Sequence, residues 1–359
     1  MIGVSMLSRY KYRVITPLRL LIILKTSAIE RPVQDFTQEN QIIKIPLVVI
    51  LGPTAVGKTE IAILLAERFG GEIVSADSRL FYRGMDIGTA KPTTQERSRV
   101  PHHLIDVSNP DEIWSLALFQ VEANKAIHEI YANHHLPFMV GGTGQFVRSI
   151  IEGWKIPAVE PNLHLREVLN NWSDKVGPIE LHAKLSALDP QAALSIDPTN
   201  VRRTIRALEV ILSTGKRFSE QKLSGDRLYD PLLLGLTLPR AELYQRIDDR
   251  IHRMINTGLI DEVRRLLDLG YSPNLPTLSA IGYGEIIAYL QGKVTLDEAI
   301  LLMKRRTRTF VRRQANWFKE NDPSIHWFQM SKDTLGEVEK LIGNWLTMLN
   351  KDKKLAIDS

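Results

Sequence analysis

A short, apolar, β-branched run at residues 47–51 leads straight into Gly52-Pro53-Thr54-Ala55-Val56-Gly57-Lys58-Thr59, and no other stretch of the chain constrains its fold as strongly. Behind it Ile61, Ala62, Leu64, Leu65 and Ala66 recur with helical spacing. An all-apolar strand of this kind suits burial on both faces. The pattern G-x-x-x-x-G-K-[ST] between a strand and a helix reads as a phosphate-binding loop. Its glycines let backbone N–H groups curl around phosphate oxygens, and the helix N-terminus adds partial positive charge. Lys58 would bring a point charge to a terminal phosphate, and the Thr59 hydroxyl a ligand for Mg²⁺. These eight residues are expected to bind a diphosphate or triphosphate; a purely structural glycine turn is the bland alternative.

The loop leaves the reaction open. Many nucleotide hydrolases carry a second strand ending in a metal-holding Asp. The nearest match here, Leu104-Ile105-Asp106, has too short an apolar lead. A strand over 72–75 ends instead in Ala76-Asp77-Ser78, and one over 137–140 ends in Gly141-Gly142-Thr143. In a parallel sheet those C-terminal ends face the ligand crevice, so Asp77 either points towards the phosphates or serves as a helix cap or turn residue.

Further along, residues 154–230 show helical periodicity over 163–169, 179–188 and 201–212, with Pro-containing breaks and no convincing strand. A buried strand follows over 232–238, and a final or edge strand over 325–328. Between them a helix over 242–256 should turn Leu243, Ile247, Ile251 and Met254 inward. The expected fold class is α/β, a P-loop NTPase-like parallel sheet core with helices on both faces, plus a helical insertion domain. The core would comprise 45–153 and 231–348, the insertion 154–230, and a tail 349–359.

Charge narrows the partners. The chain carries 46 Lys and Arg against 41 Asp and Glu, a net +5, but the excess is local. Residues 1–25 hold five basic side chains and no acid, and residues 301–319 hold seven and no acid, so the remainder is net acidic. A basic helix is expected over 304–319, with Arg305, Arg308 and Arg312 along one side and Leu301, Phe310 and Trp317 as apolar anchors. Such a helix suits a nucleic-acid backbone or a membrane surface. Arg202, Arg203 and Arg206 form a second basic group, with two of them on one helical face; a solvated face is the alternative. Zero cysteine excludes a disulfide scaffold, a thiolate zinc site, an iron–sulfur cluster and a cysteine nucleophile. Residues 1–44 read as an extension outside the fold, or as a targeting segment. The apolar run at 20–24 is far short of the roughly 20 residues of a membrane helix.

In order, the motifs resemble one family. They are Gly52–Thr59, Ser75-Ala-Asp-Ser-Arg79, the run from Tyr82 through Gly84 to Pro92, Pro101-His-His-Leu-Ile-Asp106, Val140-Gly-Gly-Thr143, Arg206-Ala-Leu-Glu-Val210, Ile281-Gly282-Tyr283, and Thr307-Arg308 with Arg312-Arg-Gln314 and Trp317. Together they closely resemble the tRNA dimethylallyltransferases, the tRNA isopentenyltransferases of bacteria and organelles, over about residues 46–330. Many members have Gln-Val where this chain has Leu80-Phe81.

The resemblance implies transfer of a dimethylallyl group from its diphosphate to the exocyclic amine of the adenosine 3′ of the anticodon, with pyrophosphate leaving. On it, the phosphate loop would serve a prenyl diphosphate with Thr59-bound Mg²⁺. Asp77 and Thr143 would be catalytic. Asp77, Ser78, Arg79, Leu80 and Thr143 would hold the flipped base or its neighbours. Arg166, Arg202, Arg203, Arg206, Ile281, Gly282, Tyr283, Arg305, Arg308 and Arg312 would meet tRNA, with core packing the alternative for Tyr283. A monomer acting in the cytoplasm on the anticodon stem-loop is expected, without a membrane partner, or in an organelle if residues 1–44 are a transit segment. Rival readings are a P-loop small-molecule or nucleotide kinase, with Arg202, Arg203 and Arg206 as lid arginines, and an RNA-binding NTPase; ATP turnover separates them.

Overall fold

The computed structural model describes residues 44–156, 162–221, 225 and 227–357; the expected extension lies outside them apart from Lys44. The apolar run at 47–51 belongs to β1 (Ile45–Leu51), buried at every position. Burial on both faces is what an all-apolar strand requires. The chain continues α1 (Lys58–Phe69), β2 (Gly71–Ser75), α2 (Thr94–Arg99), β3 (His102–His103), α3 (Leu116–Ala132), β4 (Leu136–Val140) and α4 (Gly144–Ile151). Four helices follow, α5 (Leu163–Val176), α6 (Pro178–Leu188), α7 (Pro190–Ser195) and α8 (Val201–Thr214). The sheet resumes with β5 (Tyr229–Thr237), then α9 (Arg240–Asn256), α10 (Leu259–Asp268), α11 (Tyr283–Leu290), α12 (Leu296–Gln314), β6 (Ile325–Gln329) and α13 (Thr334–Ile357).

All pairings are parallel, in the order β3-β2-β4-β1-β5-β6. β1 lies in the middle, with Val48 opposite Phe138 of β4 and Leu232 of β5. Strand ends that carry residues 52–59, 76–78 and 141–143 therefore emerge side by side at one edge. Helices α1 and α3 pack on β2 and β4, and α13 packs on β5 and α1. A second apolar cluster of Leu169, Leu181, Leu185, Ile205 and Leu208 ties α5, α6 and α8 together.

Three local expectations change. The basic helix begins earlier and ends sooner than 304–319. It starts at a capping box of Thr295 and Glu298 and stops at Gln314, so Asp297 and Glu298 belong to it and Trp317 lies beyond it. Leu301 and Phe310 do not anchor it, being 57% and 41% exposed; its inward side is Ala299, Met303 and Gln314. The tail expected at 349–359 continues α13 as far as Ile357. In α9 the inward positions are Leu243, Ile247 and Ile251, with Met254 half-buried.

Candidate active site

A cleft of about 350 Å³ opens at the strand ends. Thr54, Ala55, Gly57, Lys58 and Thr59 line it from the loop, Asp77 and Leu80 from the turn after β2, Gly141 after β4, and Arg250 and Arg253 from α9. Gly57 caps α1 at φ 106, so the loop curls and the first helical amides face the cleft. Gly52 is closely fitted: a Cβ there, at φ +141, would lie 2.5 Å from the Leu236 carbonyl oxygen. Val56 is fully buried and can offer a ligand only its backbone. Lys58 Nζ donates to the carbonyls of Gly52 (3.0 Å) and Pro53 (2.8 Å), which hold the ammonium across the loop.

Lys58, Arg250 and Arg253 gather positive charge in the cleft, which Asp77, Glu60 and Glu96 also line. Burial lowers the Lys58 pKa to about 8; Asp77 opposes that shift and Arg250 adds to it. Arg250 is itself lowered from the usual guanidinium range by burial and by Arg253, with Asp77 again opposing. An ammonium with this pKa is charged below about pH 8 and neutral above it. Affinity of the free protein for inorganic pyrophosphate is thus expected to fall as pH rises from 7 to 9, checked by calorimetry at each pH; a flat profile would refute it.

Asp77 sits in a tight turn. Its Oδ1 accepts the Arg79 N–H at 3.0 Å and its own N–H donates to Ser75 Oγ at 3.3 Å. Among the described residues no donor reaches Oδ2, which leaves that oxygen for a ligand proton. The Ser78 N–H donates to Thr143 Oγ1 at 3.3 Å, so the turns after β2 and β4 are joined beside the carboxylate. Asp106, by contrast, receives Lys91 at 2.5 Å and Arg97 at 2.8 Å and is occupied there.

A carboxylate able to take a proton, beside a cradle for two phosphates, suits transfer of a group off a diphosphate onto a protic nucleophile. Thr59 brings one of the hydroxyls that line the cleft, with Thr54, Ser75 and Thr89. Among the described residues no group of three or more His, Asp or Glu could hold a metal ion.

The remaining candidates divide. Tyr283 is fully buried, and its hydroxyl donates to Glu262 at 2.6 Å; it cannot stack on a base. The same Glu262 carboxylate accepts the N–H groups of Asp86 (3.1 Å), Ile87 (2.8 Å) and Gly88 (3.1 Å). Gly282 is buried and Ile281 half-buried. Arg79 turns towards the Thr277 carbonyl, 3.5 Å away. Arg166 and Arg206 both pair with fully buried Glu209, at 2.9 and 2.6 Å, while Arg202 and Arg203 are exposed. On α12, Arg308 pairs with Asp248 at 2.8 Å and lies 5.0 Å over the Tyr244 ring, and Arg306 pairs with Glu285 at 2.7 Å. Arg305 and Arg312 stay exposed. The basic helix is thus partly neutralised by α9 and α11.

Arg250 and Arg253 are among the cleft residues that the sequence does not announce. The signal for Arg250 was present: it falls on the apolar stripe, three residues after Ile247 and four before Met254, where a cation needs a reason.

The chain is similar to known proteins over most of its length. The family model described as IPP transferase matches residues 80–321, and that of isopentenyl transferase residues 45–106. A tRNA dimethylallyltransferase of Roseiflexus sp. is 52% identical over 302 residues, covering 84% of this chain and 99% of that protein. One of Thermomicrobium roseum is 48% identical over 287 residues, covering 80% and 87%. Among solved structures, the full-length tRNA isopentenylpyrophosphate transferase of Bacillus halodurans is 42% identical with a TM-score of 0.65, covering 87% of this chain and all of that one. A eukaryotic dimethylallyltransferase described as acting on tRNA is 27% identical with a TM-score of 0.71, covering 84% and 80%.

Proposed function

The chain belongs to the IPP transferase family, the tRNA dimethylallyltransferases, and on that premise we propose how its cleft performs the reaction. The protein transfers a dimethylallyl group from dimethylallyl diphosphate to an adenosine of tRNA. Our reading places the acceptor on the 3′ side of the anticodon, with the exocyclic N6 amine as nucleophile. The observation that carries it is one cleft holding both a phosphate loop and a carboxylate with an open oxygen.

The loop amides, Lys58 and Arg250 take the diphosphate. The adenine amine attacks C1 of the prenyl group, the C1–O bond breaks, and its electron pair leaves with pyrophosphate. Asp77 Oδ2 receives the proton that N6 loses, which matters because the amine lone pair is delocalised into the ring. Charge builds on the departing oxygen, and Lys58 and Arg250 neutralise it. Mg²⁺ held by Thr59 and the diphosphate oxygens would add Lewis-acid stabilisation of the leaving group. Thr143 fixes the turn bearing Asp77 and Ser78. The base must leave its stack to reach this depth. We assign the outer RNA surface to Arg202, Arg203, Arg305 and Arg312. A single chain carries every residue used, and among the described residues no helix is long and apolar enough to cross a membrane.

The test is mass spectrometry of an anticodon stem-loop incubated with purified protein, dimethylallyl diphosphate and Mg²⁺. The expected product gains one dimethylallyl group in place of one amine proton, and pyrophosphate appears in equal amount. ATP consumption without prenylation would refute the reading. Arg305→Ala and Arg312→Ala should each lower the slope of log affinity against log salt by about 0.7–0.9. Arg308→Ala should lower it less while reducing thermal stability, since that side chain is spent on Asp248 and Tyr244. Equal slopes for all three variants would contradict this division.

A further inference from the structure

We propose that Gln314 is a positioning residue whose single carboxamide holds the phosphate loop and the turn carrying Thr143 in register. The residue closes α12 and its side chain is buried. Its Oε1 accepts the Thr54 N–H at 3.0 Å, and its Nε2 donates to the Gly142 carbonyl at 3.1 Å. Those partners lie 260 and 172 residues away in sequence.

The peptide unit joining Pro53 and Thr54 is gripped at both poles. Its N–H goes to Gln314, and its C=O accepts from Lys58 Nζ at 2.8 Å. The orientation of that plane therefore sets where the Lys58 ammonium rests. Gly142 is the residue before Thr143, whose hydroxyl accepts the Ser78 N–H beside Asp77. One side chain thus joins the phosphate half of the cleft to the proton-accepting half.

The surroundings are built for this contact. A Cβ at Gly142 would lie 2.1 Å from Gln314 Nε2, and one at Gly144 would lie 2.2 Å from Trp317 Cγ. Two glycines spaced two apart receive two side chains spaced three apart. Arg148 closes the seam from α4 by donating to the Trp317 carbonyl at 2.8 Å. A carboxamide suits the position because it presents an acceptor and a donor without charge. Glutamate keeps the acceptor but sets a second oxygen against the Gly142 carbonyl. Methionine fills similar volume and makes neither bond.

The inference rests on the assignment of residues 52–59 to the diphosphate, and the test separates the two. Binding of inorganic pyrophosphate and of the stem-loop is measured by calorimetry for the full chain, with transfer kinetics alongside. In Gln314→Met, pyrophosphate affinity should fall about tenfold and kcat by a similar factor, with stem-loop affinity within twofold of wild type. Gln314→Glu should be more impaired at pH 8, and its rate relative to wild type should recover as pH falls to 6. A protonated carboxyl restores the donor, and the ratio at each pH cancels the pH dependence that variant and wild type share. Wild-type pyrophosphate affinity and kcat in Gln314→Met would overturn the proposal. So would parallel loss of stem-loop binding and thermal stability in both variants with no recovery at low pH, which would make Gln314 a purely structural residue. Failure of the wild-type chain to bind pyrophosphate would overturn the loop assignment instead, and the inference with it.

Discussion

Asp77→Asn is expected to slow prenyl transfer by about 10²–10⁴-fold, the range of a lost general base, with stem-loop affinity within about twofold of wild type. The substitution is chosen for what it keeps. An Asn side-chain oxygen can still accept the Arg79 N–H that Asp77 Oδ1 accepts at 3.0 Å, so the turn after β2 should persist. What disappears is an oxygen able to take the N6 proton, together with a negative charge opposite Lys58 and Arg250. The loss belongs in kcat, because the proton moves only as the new C–N bond forms. At 1.36 kcal/mol for each tenfold change, this is about 3–5 kcal/mol of barrier. Single-turnover rates with saturating tRNA and dimethylallyl diphosphate give the answer directly. A rate within threefold of wild type would remove Asp77 from the chemistry.

Lys58→Met should produce the next largest effect, a loss of about 10²–10³-fold in kcat/KM for the diphosphate. The ammonium is desolvated, its pKa near 8, so its charge acts in a medium that screens poorly. A ligand bringing several negative charges strengthens that interaction further, most of all when pyrophosphate departs. Methionine keeps the stem and forfeits both the charge and the contacts to Gly52 and Pro53 carbonyls. Stem-loop binding without the diphosphate should be unchanged, because the exposed arginines assigned to the RNA surface lie on α8 and α12. The opposite pattern, intact diphosphate kinetics with weakened stem-loop binding, would move the phosphate site away from this loop.

What could be read in advance follows how local each feature is. Residues 45–59 carry their own strand, glycines and helix start, so the loop and its parallel sheet were legible, as was Asp77 two residues beyond β2. Arg250 and Gln314 were harder, because each reaches the cleft from a distant helix and a single helix does not reveal its neighbours. Arg308 and Arg305 look equivalent in sequence, three residues apart. Only the packing of α12 on α9 separates them, placing Asp248 and Tyr244 under the first and solvent over the second. Tyr283 was ambiguous for the same reason, until Glu262 of α10 is seen to take its hydroxyl.

Glu262 has a mechanical meaning as well. A single carboxylate receives three successive amides from residues 86–88 and the phenol of α11, so the segment between Tyr82 and Pro92, which lends Thr89, Ala90 and Pro92 to the cleft wall, has no independent freedom to peel away. It can open only by dragging α10 and α11 or by stranding a buried anion, and the second route costs several kcal/mol. Amide hydrogen exchange at Asp86, Ile87 and Gly88 should therefore run at the slow rate of those helices, not at the rate of a surface loop. That wall of the cleft behaves as part of a rigid block while substrate comes and goes.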